Sequence, residues 1–378
     1  MPDESIKKIF TINLGVQKDE EVLVFTDLLE DPDAVPLEER KKREALVPLA
    51  KEAAEIGSAL CRTAYFEFTA VGSHGKEPPT PLWEAAFGGA VVKKLEKRGT
   101  LEKKLRKEAK PQDLAEAEGV IRELAASPDA VIALSNYSTS HTRFRDLLTR
   151  VMGTRYASMP LFEREMLDGA MTADWKGVER RTIRLARMMA DADTAVITSH
   201  NGTSISFSIK GRDAQPDTGI LVERGSFGNL PAGEAFLAPV EGTAEGVLIL
   251  EWAPTGRLHT PVELVVKKGL VVEVVGNDDF SRKLRERIDA NPLCGNIAEL
   301  GIGTNEKASR PDNILETEKI LGTVHIALGD NSSFGGKVSV PFHQDFIFFR
   351  PNLEVIKGEE KIELLIDGEP RFEAEGVR

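Results

Sequence analysis

The pattern of apolar residues changes character near residue 200, and no single regular architecture accommodates both halves. Before that point short apolar runs alternate with longer periodic stretches. Val22-Leu23-Val24-Phe25-Thr26 has strand length and lies between Glu21 and Asp27. Residues 37–56, charged and periodic, read as one helix that stops at Gly57. Residues 60–68 alternate as a strand, 82–110 and 112–126 read as very polar helices, and 130–134 form a short buried-type strand. Two further helical stretches follow, 142–152 and 178–190, the second leading into a strand at 194–198. Strands separated by helices of this length pair in parallel. After His200 the helical period survives only in residues 280–291, and hairpin signals take over. Residues 262–266 and 270–275 flank Lys267-Lys268-Gly269, and residues 353–356 and 361–366 flank Lys357-Gly358-Glu359-Glu360. The expected architecture is an α/β N-terminal domain with a mainly parallel sheet, residues 1–200, followed by a β-rich α+β C-terminal domain, residues 201–378. A chain of 378 residues suits two domains.

Charge narrows the partners. Against 49 basic side chains stand 61 acidic ones, a net charge of −12, which disfavours nucleic acid and anionic membrane surfaces. The charged run 103–110 reads as a solvated helix face. Two cysteines, Cys61 and Cys294, cannot build a disulfide framework. No apolar run approaches the roughly 20 residues that span a bilayer, and the first ten residues lack a signal-peptide pattern. The expected setting is cytoplasmic.

Several signatures are missing: G-x-G-x-x-G after a strand, a Walker loop, H-E-x-x-H and the G-x-S-x-G elbow. The six histidines are more informative. His74, His141, His200 and His259 lie scattered in polar segments, whereas His325 interrupts the apolar run Gly322-Thr323-Val324-His325-Ile326-Ala327-Leu328-Gly329. Alternation there puts Thr323, His325 and Ala327 on one face. His343 and Asp345, two apart in Phe342-His343-Gln344-Asp345-Phe346, also share a face, and H-x-D can deliver an imidazole and a carboxylate to one metal ion. The polar, glycine-rich loop 329–336 between them is a candidate to line the site. Glu234 and Glu299 sit in apolar, small-residue surroundings, where a carboxylate needs a cation or a hydrogen-bond donor. Together these five residues suffice for two divalent ions, a common arrangement for hydrolysis.

In four stretches, residues 229–239 (NLPAGEAFLAP), 297–305 (IAELGIGTN), 325–329 (HIALG) and 343–345 (HQD), taken in that order, the sequence resembles the thermophilic aminopeptidase T family of metallopeptidases. The resemblance implies two divalent metals per chain (Zn, Co or Mn) held by Glu234, Glu299, His325, His343 and Asp345. It also implies a homodimer and hydrolysis of N-terminal residues from peptides. One departure stands out: a further glutamate expected five residues before the first of these histidines is Ile320, and the nearest acids are Glu318 and Glu316. Glu318 is the expected general base or extra ligand, with Glu299 the other candidate for the catalytic base. A rival reading takes His325, His343 and Asp345 as the two-histidine, one-carboxylate set of a non-haem iron(II) ring-cleaving dioxygenase; dioxygenases acting on dihydroxypyridines resemble the same peptidase family. A third is a catalytically inactive metal-binding relative.

Overall fold

The structure is a computed structural model that describes residues 2–29, 31, 35–106, 108–253 and 256–372. The chain forms two compact units, Met1–Thr172 with Gly219–Pro231, and Ala173–Thr218 with Ala232–Arg378.

The first unit is α/β. Its sheet contains β1 (Glu21–Leu28), β2 (Arg62–Thr69), β3 (Ala130–Ala133), β4 (Arg155–Ser158) and β8 (Phe227–Asn229), in the order β2-β1-β3-β4-β8. Every pairing is parallel. The six central residues of β1 are buried, as a parallel strand covered on both faces requires. On one face Phe25 meets Phe68, Phe144 and Tyr156 edge-on, and Trp83 packs on Phe87 and Phe144.

Two of the expected helices are broken, for identifiable reasons. Residues 37–56 form Leu37–Glu44 and Leu46–Ser58. Pro48 falls in the first turn of the second helix, where its ring would clash with the Glu44 carbonyl of a continuous one. Among residues 82–110 the helices are Thr80–Phe87, Gly89–Lys97 and Thr100–Leu105, interrupted at Gly88 (φ 87°) and Gly99 (φ 64°). Such φ values suit glycine and end a right-handed helix. Lys107 lies outside the described residues. The 103–110 run is not uniformly solvated: Lys104 is buried and its Nζ has no hydrogen-bond partner.

The second unit is antiparallel. One sheet holds β5 (Thr194–Ser199), β6 (Ser204–Ser208), β10 (Glu245–Ala253), β11 (Gly256–Lys267), β12 (Leu270–Val275), β16 (Pro351–Lys357), β17 (Glu360–Ile366) and β18 (Glu369–Pro370), ordered β12-β11-β10-β6-β5-β16-β17-β18. The other holds β7 (Gln215–Asp217), β9 (Glu234–Leu237), β13 (Ile297–Gly303), β14 (Val324–Gly329) and β15 (His343–Phe348), ordered β15-β14-β13-β9-β7. Ile197, Leu248 and Leu264 of the first join Leu300, Ile302, Ile326 and Phe346 of the second in one core.

The expected boundary at residue 200 is therefore displaced. Helix Trp175–Ala190 and β5 belong to the second unit, because β5 pairs antiparallel with β6 and β16. The chain then returns to the first unit to add β8 beside β4. Among the described residues no helix is long and apolar enough to cross a membrane.

Candidate metal centre

Four adjacent strands build the site on the face of the second unit's smaller sheet that points away from its core. In β14, Val324, Ile326 and Leu328 join the core, so His325 projects from the opposite face. The same alternation exposes Glu299, Gly301 and Gly303 on β13, Glu234 on β9, and His343 and Asp345 on β15. Register aligns them: Glu299 opposes Ala327, which opposes Asp345, while Gly301 opposes His325 and Gly303 opposes Glu234. Gly301 is part of the construction, because a Cβ there would collide with the His325 ring. The imidazole lies across the space that glycine leaves.

His325 Nε2 is 3.3 Å from Glu234 Oε2 and 3.4 Å from Glu299 Oε1. His343 Nε2 is 3.4 Å from Glu299 Oε2 and 3.5 Å from Asp345 Oδ2. Ligand atoms of Glu299, His343 and Asp345 all lie within 4.8 Å of one another. His343 Nδ1–H donates to the Asp330 carbonyl at 2.7 Å, which orients the ring so that Nε2 faces the carboxylates. That carbonyl belongs to the glycine-rich loop, whose Phe334 ring stands edge-on to His343 at 5.8 Å.

Glu318 and Glu316 separate. The helical turn Ile314–Thr317 ends just before Glu318, whose Oε2 accepts from Lys319 Nζ at 3.0 Å. Glu316 instead accepts from the backbone N–H groups of Ser309 and Arg310, at 2.7 and 3.3 Å, outside the cluster. Ile320 carries no polar group, but its neighbour Lys319, 1 % exposed, inserts its ammonium and donates to Glu234 Oε1 at 2.6 Å. Lys319 is the site residue that sequence reasoning missed. Its signal was a lone cation in Glu316-Thr317-Glu318-Lys319, directly ahead of apolar Ile320-Leu321. A small pocket of about 10 Å³, room for one water molecule, is lined by Trp252, Pro311, Thr317 and Ile347 together with Glu318, His325 and Asp345. Among the other histidines, His74 accepts from the Ser138 N–H in the first unit.

The electrostatics are those of a place for a cation. Burial alone would lower the pKa of both imidazoles, yet the surrounding carboxylates outweigh it, lifting His325 to about 9 and His343 to about 12. Burial would raise Asp345 and Glu299, but His343 holds Asp345 low and the imidazoles of His325 and His343 beside it hold Glu299 low. Glu318 is pushed up to about 8, chiefly by burial, with Asp345 and Glu234 adding to it against the pull of Lys319. Lys319 rises well above its usual value because Glu234 and Glu318 outweigh its burial. Two carboxylates, those of Glu234 and Glu318, thus flank the Lys319 ammonium. Glu234 Oε2, Asp345 Oδ1 and both nitrogens of His325 are buried without hydrogen-bond partners among the described residues. Buried carboxylate oxygens without donors, beside imidazoles whose protons a cation could replace, fit a divalent metal ion.

A donor set of this kind, presented by an antiparallel sheet, is a candidate site for a divalent metal ion. The sequence matches the family model for 2,5-dihydroxypyridine 5,6-dioxygenase (NicX) over residues 85–356, well over half of the chain, and the chain belongs to that family. A search of curated proteins found no match. Among solved structures, the 2,5-dihydroxypyridine dioxygenase from Pseudomonas putida KT2440 is similar, with a TM-score of 0.66 at 16 % identity, covering 98 % of this chain and 96 % of that one. Wild-type AmpT from Thermus thermophilus is also similar, with a TM-score of 0.55 at 15 % identity, covering 98 % of each chain. These likenesses show a shared fold: an α/β unit with a parallel sheet and an antiparallel β-rich unit. The aminopeptidase-like fold implied by the sequence resemblance is thereby supported, and the family model adds an oxygenase family to it.

Proposed function

We propose that the protein is a non-haem iron(II) dioxygenase that opens a dihydroxylated nitrogen-heteroaromatic ring, 2,5-dihydroxypyridine being the first substrate to test. The observation that carries this reading is the convergence of His343, Asp345 and Glu299, with His325 beside Glu299, in a chain whose family model is that of such a dioxygenase. When bound there, iron(II) supplies the one-electron chemistry that lets dioxygen react with a closed-shell ring. Glu299, His343 and Asp345 would hold the ion, with His325 beside Glu299. The ring supplies all the electrons and both oxygen atoms end in the product, so no external reductant is needed.

The chain's own residues then orient substrate and move protons. Trp252 and Ile347 line the pocket beside the cluster with apolar surface, against which a flat ring would pack once the pocket widens to admit it. Glu318, in the same pocket as Asp345, has a carboxyl whose raised pKa suits proton exchange with a ring hydroxyl near neutral pH. The test is to load metal-stripped protein with iron(II) under anaerobic conditions, add 2,5-dihydroxypyridine and air-saturated buffer, and follow oxygen uptake and loss of ring absorbance together. Coupled loss of both is expected; neither occurring would overturn the reading.

A second reading, the two-metal aminopeptidase, is favoured by one observation: Glu234 and Glu299 both reach the site although one iron does not need both. Two Zn, Co or Mn ions per chain with turnover of aminoacyl chromogenic substrates would support it. A single tightly bound metal without turnover of any kind would leave the inactive relative.

A further inference from the structure

We infer that Lys319 is a built-in second cation: its ammonium occupies the place between Glu234 and Glu318 that a second metal would take, and so limits the site to one divalent ion. This rests on the reading that the cluster binds metal.

The argument is geometric. Lys319 Nζ lies 2.6 Å from Glu234 Oε1 and 3.0 Å from Glu318 Oε2, so each carboxylate already has one oxygen committed to a full positive charge. A divalent ion ligated by those two oxygens would stand where the ammonium stands. Like charges at bonding distance in a buried site exclude each other. The remaining oxygen of Glu234 faces His325 Nε2, at the edge of the Glu299–His343–Asp345 group, where no ammonium intrudes.

The backbone that carries Lys319 is also held in place. Its backbone N–H donates to the Glu316 carbonyl at 3.0 Å, and its own carbonyl accepts from the Asn305 N–H at 2.9 Å. The Asn305 amide donates in turn to the Ala232 carbonyl at 2.9 Å, two residues before Glu234. The segment bearing the ammonium and the one bearing its partner are thus tied through one asparagine. The side chain itself is 1 % exposed. The residue next in the chain is Ile320, the position where the aminopeptidase resemblance led one to expect a glutamate. Residues 319 and 320 thus place a cation and an apolar side chain, rather than two ligands, on the Glu234 side of the site, and neither favours a second metal.

The experiment is a metal count on chelator-stripped protein titrated with manganese(II), comparing wild type, Lys319→Met and Lys319→Arg. Wild type and Lys319→Arg are expected to saturate at one ion per chain, and Lys319→Met at two, because Glu234 and Glu318 become free ligands. Circular dichroism checks that each variant is folded. Two ions in wild type, or one in a folded Lys319→Met, would overturn the inference. Should Lys319→Met not fold, anomalous scattering from manganese-soaked wild-type crystals decides: one peak beside Glu299, His343 and Asp345 supports it, and a second peak bonded to Glu234 overturns it. One ion per chain with no ring cleavage would remove the proposed substrate and leave the role of Lys319 standing. Two ions with ring cleavage would do the reverse, and no metal at all would remove both.

Discussion

Replacing Gly301 by alanine tests the site's construction with a single methyl group. The added carbon falls on Nε2, Cε1 and Cδ2 of His325, the last at 2.7 Å. His325 cannot back away, because β14 is paired on both sides and the residue is 1 % exposed. The ring must rotate, carrying Nε2 away from Glu234 and Glu299. Forcing a methyl into a packed site costs about 1–3 kcal/mol. At roughly 2–4 °C per kcal/mol for a unit of this size, the expected fall in Tm is about 2–12 °C. The sign is informative, since Gly→Ala at an unstrained position stabilises by about 0.4–1 kcal/mol through the unfolded chain. Thermal unfolding monitored by circular dichroism, with and without manganese(II), reads both effects. The metal-induced rise in Tm should shrink along with the Tm itself. An unchanged or higher Tm together with wild-type manganese affinity would refute the placement of His325.

Four further outcomes are expected. His343→Ala and Asp345→Ala each remove a direct ligand, so metal affinity should fall by more than the ~10–100-fold typical of losing an outer partner; full metal retention in either, by elemental analysis, would exclude that residue. Glu318→Gln should keep the fold and the metal but lose turnover by about 10²–10⁴-fold. Glu316→Gln, whose carboxylate only holds the Ser309 and Arg310 amides, should keep turnover and lose no more than about 1.5 kcal/mol in urea unfolding; equal activity in both variants would clear Glu318. In the metal-free protein the raised pKa of His325 means its contribution to stability is complete below about 6.5 and is lost as pH rises through about 9. The raised Glu318 acts in the same direction up to about 8, so metal-free Tm should fall with rising pH while the stabilisation by added metal grows; a pH-independent metal effect would contradict this. We also propose a homodimer, and light scattering at micromolar concentration showing a monomer would remove that proposal.

What could be read from the sequence was local. The two-residue period puts His325 with Ala327, and His343 with Asp345, on one strand face whatever the strands pair with, and β14 and β15 place them so. Pairing partners are not local. The helix at 175–190 followed by β5 has the same local pattern as the βα units before it, yet β5 joins an antiparallel sheet, and the three residues of β8 are too short to announce a return to the parallel one. The choice between Glu316 and Glu318 turned on whether the segment was extended or helical. One turn at Ile314–Thr317 sends Glu316 to the loop amides. Lys319 was missed for a related reason: a lysine among glutamates reads as solvated, its position ahead of apolar Ile320-Leu321 is a weak signal, and only tertiary folding buries it.

Oxygen-isotope labelling distinguishes ring oxygenation from hydrolysis in one experiment. Iron(II)-loaded protein is given 2,5-dihydroxypyridine under ¹⁸O₂ in ordinary water, and the ring-opened product is weighed by mass spectrometry. Both new oxygen atoms in that product should carry the label. Failure of any labelled product to form, with ¹⁸O entering instead from labelled water during cleavage of aminoacyl substrates, would contradict the oxygenase and establish the hydrolase.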